Sequence, residues 1–363
     1  MKGKWAIWFV FLALVIVSMT FVAACAKEAT PSPTATPSPT PKVYKLKVQS
    51  AWPHGDLSME TLTEFAAAAE KRSNGRLKIS VFGEPDIVPM FQVLEAVKKG
   101  TLDIGHAGGT LWGGVIPVAE IEFGIPYSFR VPWEKTYEAK QAAIRKFFYE
   151  SGLIDLLREE YAKQGVYYLD IHTYGPVPIV VAKKPIRTME DLKGVKIRDE
   201  GLWTEWHNML GAAGTDISGS EAYMALKTGA LDAAQWDVSC ITGLKWHEVA
   251  PYWIRGEEND AAIGHMLVNM NVWNSLPEDL KEALAGAAED YWYATVEAYG
   301  KEVKVIEDMA KRGEIVEVWL DEEAIAKHAE AAQEIWDELA ARDAACAKAI
   351  QLIKEWQEEG KYR

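Results

Sequence analysis

Apolar and polar positions change their spacing several times along the chain, and each change marks an element. Residues 5–24 (WAIWFVFLALVIVSMTFVAA) carry no charge at all. Residues 26–42 (AKEATPSPTATPSPTPK) are dominated by Pro, Ser and Thr and cannot contribute to a core. From Tyr44 to Gln49 polar and apolar residues alternate, which predicts a strand broken by Trp52-Pro53-His54-Gly55. Leu62, Phe65, Ala66 and Ala69 follow helical spacing, predicting a helix over 58–73 that stops near Asn74-Gly75. A strand over 77–82, a helix over 90–99 ending at Gly100 and a short strand over 102–106 follow. Strand, helix, strand, helix, strand predicts a parallel sheet covered by helices.

The pattern then repeats. Strands are predicted at 165–172, 179–182, 195–198, 215–217, 230–235 and 264–270. Between them lie a helical turn at 189–192 and helices at 201–210, 220–228 and about 240–249. A helical stretch from Leu276 to about Arg312 and a last helix over roughly 321–359 end the chain. The expected fold is α/β, with two lobes around a cleft. In open parallel sheets ligands sit beyond the C-terminal strand ends. Trp52, His106, Tyr174, Arg198 and Trp236 occupy such places.

The amino terminus adds an address. Lys2 and Lys4 precede the apolar run, and Val22-Ala23-Ala24-Cys25 closes it. Basic, apolar, small is the order of a secretory signal, and its end resembles a bacterial lipobox, which implies cleavage before Cys25 and diacylglycerol on its thiol. An uncleaved membrane helix is the alternative, since about 20 apolar residues can span a bilayer. The expected organisation is a lipoprotein signal peptide (1–24), then a lipid-anchored linker (25–42). A body of about 320 residues follows, enough for two domains. It would stand outside the cytoplasmic membrane, in the periplasm or at the cell surface.

Charge and chemistry narrow the function. The net charge is −14, and −16 without Lys2 and Lys4, so no basic stripe is available for nucleic acid. Cys240 and Cys346 do not make a disulfide framework and are expected as free buried thiols. No nucleophile elbow, P-loop, zinc-binding His pair or dinucleotide fingerprint occurs, and the seven histidines are scattered. An enzyme is therefore not expected. Fifteen tryptophans and fourteen tyrosines supply a core and can also line a solute cleft. Arg198 ends a strand, and a guanidinium fork matches a carboxylate in bidentate fashion. Pairing with Asp199, Glu200 or another internal acid is the plain alternative.

Several blocks resemble the binding proteins of tripartite ATP-independent periplasmic (TRAP) transporters, the C4-dicarboxylate-binding-protein-like family. The segment Asp191-Leu192-Lys193-Gly194-Val195-Lys196-Ile197-Arg198 is similar to one signature. Glu221-Ala222-Tyr223-Met224-Ala225-Leu226-Lys227-Thr228-Gly229-Ala230-Leu231-Asp232 is similar to another. Gly75–Ile79, Gly100–Asp103 and Val272–Pro277 match further segments, so the likeness covers about residues 44–310.

The resemblance implies a two-lobed periplasmic-binding-protein-like fold with mixed sheets and a long C-terminal helix bridging the lobes. Lobe I would hold 43–173 and 262–303, and lobe II 174–261 and 304–363. It also implies an extracytoplasmic receptor that passes a small organic acid to TRAP membrane permease subunits, with Arg198 gripping the carboxylate. A lipid-anchored sensor for a membrane kinase or a lipid-anchored hydrolase are the alternatives. Asp232-Ala233-Ala234-Gln235-Trp236 is similar to a variant in which a glutamate at the position of Gln235 helps hold a metal beside 2-oxo acids. An amide is a poorer ligand for a hard cation, and Gly175–Ile179, which would supply a second ligand, is apolar. No metal and no other cofactor is expected. Gln235 is expected to hydrogen-bond the solute and Trp236 to form a wall. Trp52, His106, Tyr174 and Trp203 could line the cleft or serve the core, and Asn269 could add a polar contact.

Overall fold

The computed structural model describes residues 42–361. The expected signal peptide, Cys25 and all of the spacer before Lys42 lie outside the described residues. Among those residues no helix is long and apolar enough to cross a membrane.

Eleven strands are present among the described residues. The first four are β1 (Tyr44–Pro53), β2 (Leu77–Glu84), β3 (Ile104–Gly108) and β4 (Val166–Thr173). Next come β5 (Ile179–Ala182), β6 (Lys196–Asp199), β7 (Ala213–Asp216), β8 (Ala233–Trp236) and β9 (Tyr252–Arg255). The last are β10 (Ile263–Asn269) and β11 (Val316–Trp319). One sheet runs β2-β1-β3-β10-β4, with β1 parallel to β2 and β3 and β10 antiparallel to β3 and β4. Its central β3 and β10 are buried at every position, as strands covered on both faces must be. The other sheet runs β11-β9-β5-β8-β6-β7 and is also mixed. The architecture is two-lobed α/β with mixed sheets, one sheet to each lobe.

The structure departs from expectation in places with identifiable causes. β9 and β11, of four residues each, were not anticipated. Helices Val118–Phe123, Tyr137–Glu150 and Leu153–Ala162 were also missed. The helix expected over 240–249 is one turn, Ser239–Thr242, and a 3₁₀ turn, Trp246–Glu248. Lys245, with φ 58°, separates them. The last helix is two, Glu322–Arg342 and Ala344–Lys361, parted by extended Asp343, whose side chain accepts from the Cys346 amide at 2.7 Å.

The 35-residue helix Glu278–Arg312 is about 52 Å long at the usual rise. Its first half belongs to the first lobe: Tyr291 donates to the Ser58 carbonyl at 2.6 Å, and Arg72 forks onto Asp290. Its second half meets the second lobe through Tyr299, which donates to Asp237 at 2.7 Å, and through Glu302, which accepts from Thr242. One rod thus joins both lobes. The final helix does not keep to the second lobe, where the expected division at residue 304 put it. It packs on first-lobe helices, with Trp356 stacked on Phe147 at 4.7 Å and Gln357 donating to the Ser128 carbonyl at 2.7 Å. Cys240 and Cys346 are buried free thiols.

Candidate functional site

The ends of β1, β4 and β8 and the segment after β6 meet between the lobes. Trp52 is the penultimate residue of β1, and Asp56 caps the helix Leu57–Arg72 that follows. One Asp56 oxygen accepts from the Ser58 amide and hydroxyl and the Met59 amide at 2.9, 2.6 and 3.2 Å. The other accepts from Trp236 Nε1 at 2.8 Å and Ser239 Oγ at 3.3 Å, both from the second lobe. The Trp52 ring stands edge-on to Trp236 and to Tyr174, centroids 5.3 and 5.6 Å away, and its Nε1 donates to Tyr174 Oη at 2.7 Å. Nearby the backbones touch, and a methyl group on Gly243 would lie 2.0 Å from the Gly55 carbonyl oxygen.

These contacts leave a cavity of about 20 Å³, room for one water-sized group. Trp52, Phe123, Tyr174, Val177 and Trp236 form its apolar wall. Its polar wall is Asp56, Glu200, Gln235 and Asp237. An open groove of about 580 Å³ elsewhere, edged by Glu134, Lys146 and Glu355, lies on the outer surface and brings together no comparable set.

The polar wall is rich in carboxylates. Burial pushes the Asp56 carboxyl above its ordinary range, against the hydrogen bonds from Ser58 and Trp236. Asp237 is pushed well above by burial and by the neighbouring charge of Asp56, although the Ser239 amide (2.7 Å) and Tyr299 hydroxyl (2.7 Å) donate to it. Glu200 is raised by burial, partly offset by Arg198. Gln235 is 1 % exposed, and its side-chain oxygen has no hydrogen-bond partner among the described residues. Among the described residues no three His, Cys, Asp or Glu side chains are arranged to hold a metal ion.

Arg198 differs from expectation. It is wholly buried, and three of its five N–H groups are committed: Nε to the Ile217 carbonyl (2.9 Å), Nη1 to the Gln235 carbonyl (3.0 Å) and Nη2 to Glu200 Oε2 (2.9 Å). The guanidinium lies 4.3 Å from the Trp236 ring centroid. It supports the cavity wall, while Glu200 forms part of it, so the expectation of an unpaired cation facing the cleft is corrected. Side chains alternate along a strand. Arg198 therefore shares a face with Glu200, while Asp199 points the other way and pairs with His207 at 2.5 Å.

Trp52, Tyr174, Gln235 and Trp236 line the cavity as expected of strand-end residues. His106, Trp203 and Asn269 do not. His106 is buried beneath the wall, bonded to Ser50 (2.9 Å) and Tyr291 (3.1 Å) and stacked on His172 at 4.2 Å; burial holds it neutral, down to about 3. Trp203 packs edge-on against Trp206 in the second lobe's core. Asn269 caps the helix Met270–Ser275 and donates to the Val97 carbonyl at 2.7 Å, a structural task. Sequence reasoning missed Asp56, Asp237, Phe123 and Val177 and gave Glu200 only as an ion-pair alternative. Asp56 had a signal, since an Asp before an amphipathic run is a helix cap.

Two α/β lobes, bound by one long helix and touching around a small aromatic and polar cavity, define a solute-binding protein. The chain belongs to the bacterial extracellular solute-binding protein family 7, whose model it matches over residues 48–343. This is the TRAP solute-binding family, a family of transporter binding proteins. The monocarboxylate 2-oxoacid-binding periplasmic protein of a Nostoc species is 26 % identical over 277 residues, covering 74 % of this chain and 71 % of that one. Among solved structures, a TRAP solute-binding protein of Colwellia psychrerythraea with bound calcium and pyruvate is similar with a TM-score of 0.80. It is 23 % identical, over 88 % of this chain and 96 % of that one. One from Chromohalobacter salexigens, with bound (S)-(+)-2-amino-1-propanol, has a TM-score of 0.78 at the same identity and coverage.

Proposed function

We propose that this chain is an extracytoplasmic receptor that captures a small organic acid between its lobes and delivers it to TRAP permease subunits. One observation carries the reading. Groups that bridge the lobes here also line the cavity: Trp236 of the second lobe donates to Asp56 of the first, and Trp52 packs on both Trp236 and Tyr174. A solute held there touches both lobes together, so it favours the closed arrangement over any open one. The long helix joining the lobes is the element that bends.

Arg198 is the cation that balances the solute's carboxylate. Glu200, 2.9 Å from the same guanidinium, is the internal carboxylate that the solute's carboxylate replaces there. The Nostoc relative and the Colwellia structure are named for, or hold, monocarboxylic 2-oxo acids, which supports this class. A thermal-shift screen of organic acids on the body tests it. A ligand at a hundred times its Kd adds about 2.7 kcal/mol, or about 5 °C for a chain this size. If no acid in a broad panel shifts the melting temperature, the reading fails. The lipid tether on Cys25 belongs to the same proposal: Cys25→Ser should release the protein from membranes, and retention there would refute it.

A further inference from the structure

We propose that the solute also carries a cationic nitrogen, an ammonium or amidinium group, seated against Asp237 and Gln235 and flanked by Trp52 and Trp236. The inference rests on the reading of this cavity as the solute site.

The charge inventory comes first. Three carboxylates, Asp56, Glu200 and Asp237, line a cavity sized for one small group. The nearest cation, Arg198, is already matched by Glu200 at 2.9 Å. A plain carboxylate solute would add a fourth carboxyl group to this wall and no cation. A solute bearing its own positive charge supplies the missing counter-charge.

The hydrogen-bond inventory agrees and is independent of it. An ionised carboxylate offers about four acceptor sites. Asp56 fills its sites within its helix cap and from Trp236 and Ser239. Among the described residues the Asp237 side chain accepts only from Ser239 and Tyr299, which leaves it capacity. Gln235 presents a buried oxygen with no donor. Buried acceptors of this kind are normally satisfied; an ammonium, with three donors, reaches both. The walls suit the same group, because the faces of Trp and Tyr rings attract cations. Burial and Asp56 hold the Asp237 carboxyl well above its usual range, the response of a carboxylate lacking its counter-charge. Among the described residues no three acids are arranged to hold a metal ion by themselves.

Isothermal titration calorimetry on the full chain, freed of co-purified solute by unfolding and refolding, tests this. The probes are matched sets on one carbon skeleton: the α-amino acid, its 2-oxo and 2-hydroxy acids, and the decarboxylated amine, run over the common amino-acid side chains. The nitrogen-bearing members should bind at least tenfold tighter than the nitrogen-free acids. Asp237→Asn should erase most of that preference while leaving the nitrogen-free acids no weaker. Equal or tighter binding of the nitrogen-free acids, or binding that requires added calcium, overturns the ammonium site and leaves the receptor reading standing. A preference unchanged in Asp237→Asn overturns the assignment to this carboxylate. Failure of every probe removes the receptor reading and this inference with it. The wild-type ratio decides between the first two outcomes even if the variant does not fold.

Discussion

The contact between Gly55 and Gly243 offers a direct way to hold the lobes apart. A Cβ on Gly243 would sit 2.0 Å from the Gly55 carbonyl oxygen. An ordinary carbon–oxygen contact is about 3.3 Å, so the two backbones must separate by about 1.3 Å at this point. Both sides of the clash are main chain, and no side chain can swing away. Gly243 itself has φ −68° and ψ −53°, so alanine fits its local conformation. Gly55, with φ 91°, would confuse strain with obstruction. The wedge should cost the closed arrangement about 1–3 kcal/mol, the usual range for overpacking. That weakens solute binding by about 5- to 150-fold. Calorimetry with any solute found by the screen measures the loss, and small-angle scattering should show a more open bound form. Each lobe's own core is untouched, so the ligand-free melting temperature should change little. Wild-type affinity in Gly243→Ala would refute the claim that the lobes must meet here for the solute to be held.

Arg198→Ala should lower stability by about 3–5 kcal/mol, because it strands Glu200 as an unpaired buried charge; adding Glu200→Gln should recover part of the loss in a denaturant titration, and an additive result would refute the pairing. His207 makes stability depend on pH. Burial alone would depress it, but Asp199 and Glu257 at 2.5 and 3.5 Å raise it to about 10. Its stabilisation is therefore complete below the unfolded value of about 6.5 and lost as pH rises towards 10. The melting temperature of the wild type should fall over that window more than that of His207→Gln; parallel profiles would refute the assignment.

Much of the cavity was legible because strand ends in such folds face the cleft, and Trp52, Tyr174, Gln235 and Trp236 all end up there. The same rule misplaced His106, whose ring is spent on Ser50 and Tyr291 beneath the wall. Arg198 shows the limit most clearly. Its place at the end of β6 could be read, and strand alternation could have chosen Glu200 over Asp199 as its neighbour. Whether that neighbour would close on the guanidinium depends on Ile217 and the Gln235 carbonyl, brought in by β8 and the segment after β7. Such contacts between distant segments leave no local period. The helix Tyr137–Glu150 was a different failure: Thr136 does cap it, accepting from the Ala139 amide at 3.2 Å, and that start signal is present in the chain.

The five hydrogen bonds gathered by Asp56 constrain how this molecule could acquire a new preference. Any replacement there unravels a helix start and disturbs the meeting of the lobes at once, so a change of taste at that residue carries a folding defect with it. Gln235 and Val177 bear no such second duty through their side chains. Libraries aimed at altered selectivity should diversify those two positions and leave the aspartate alone.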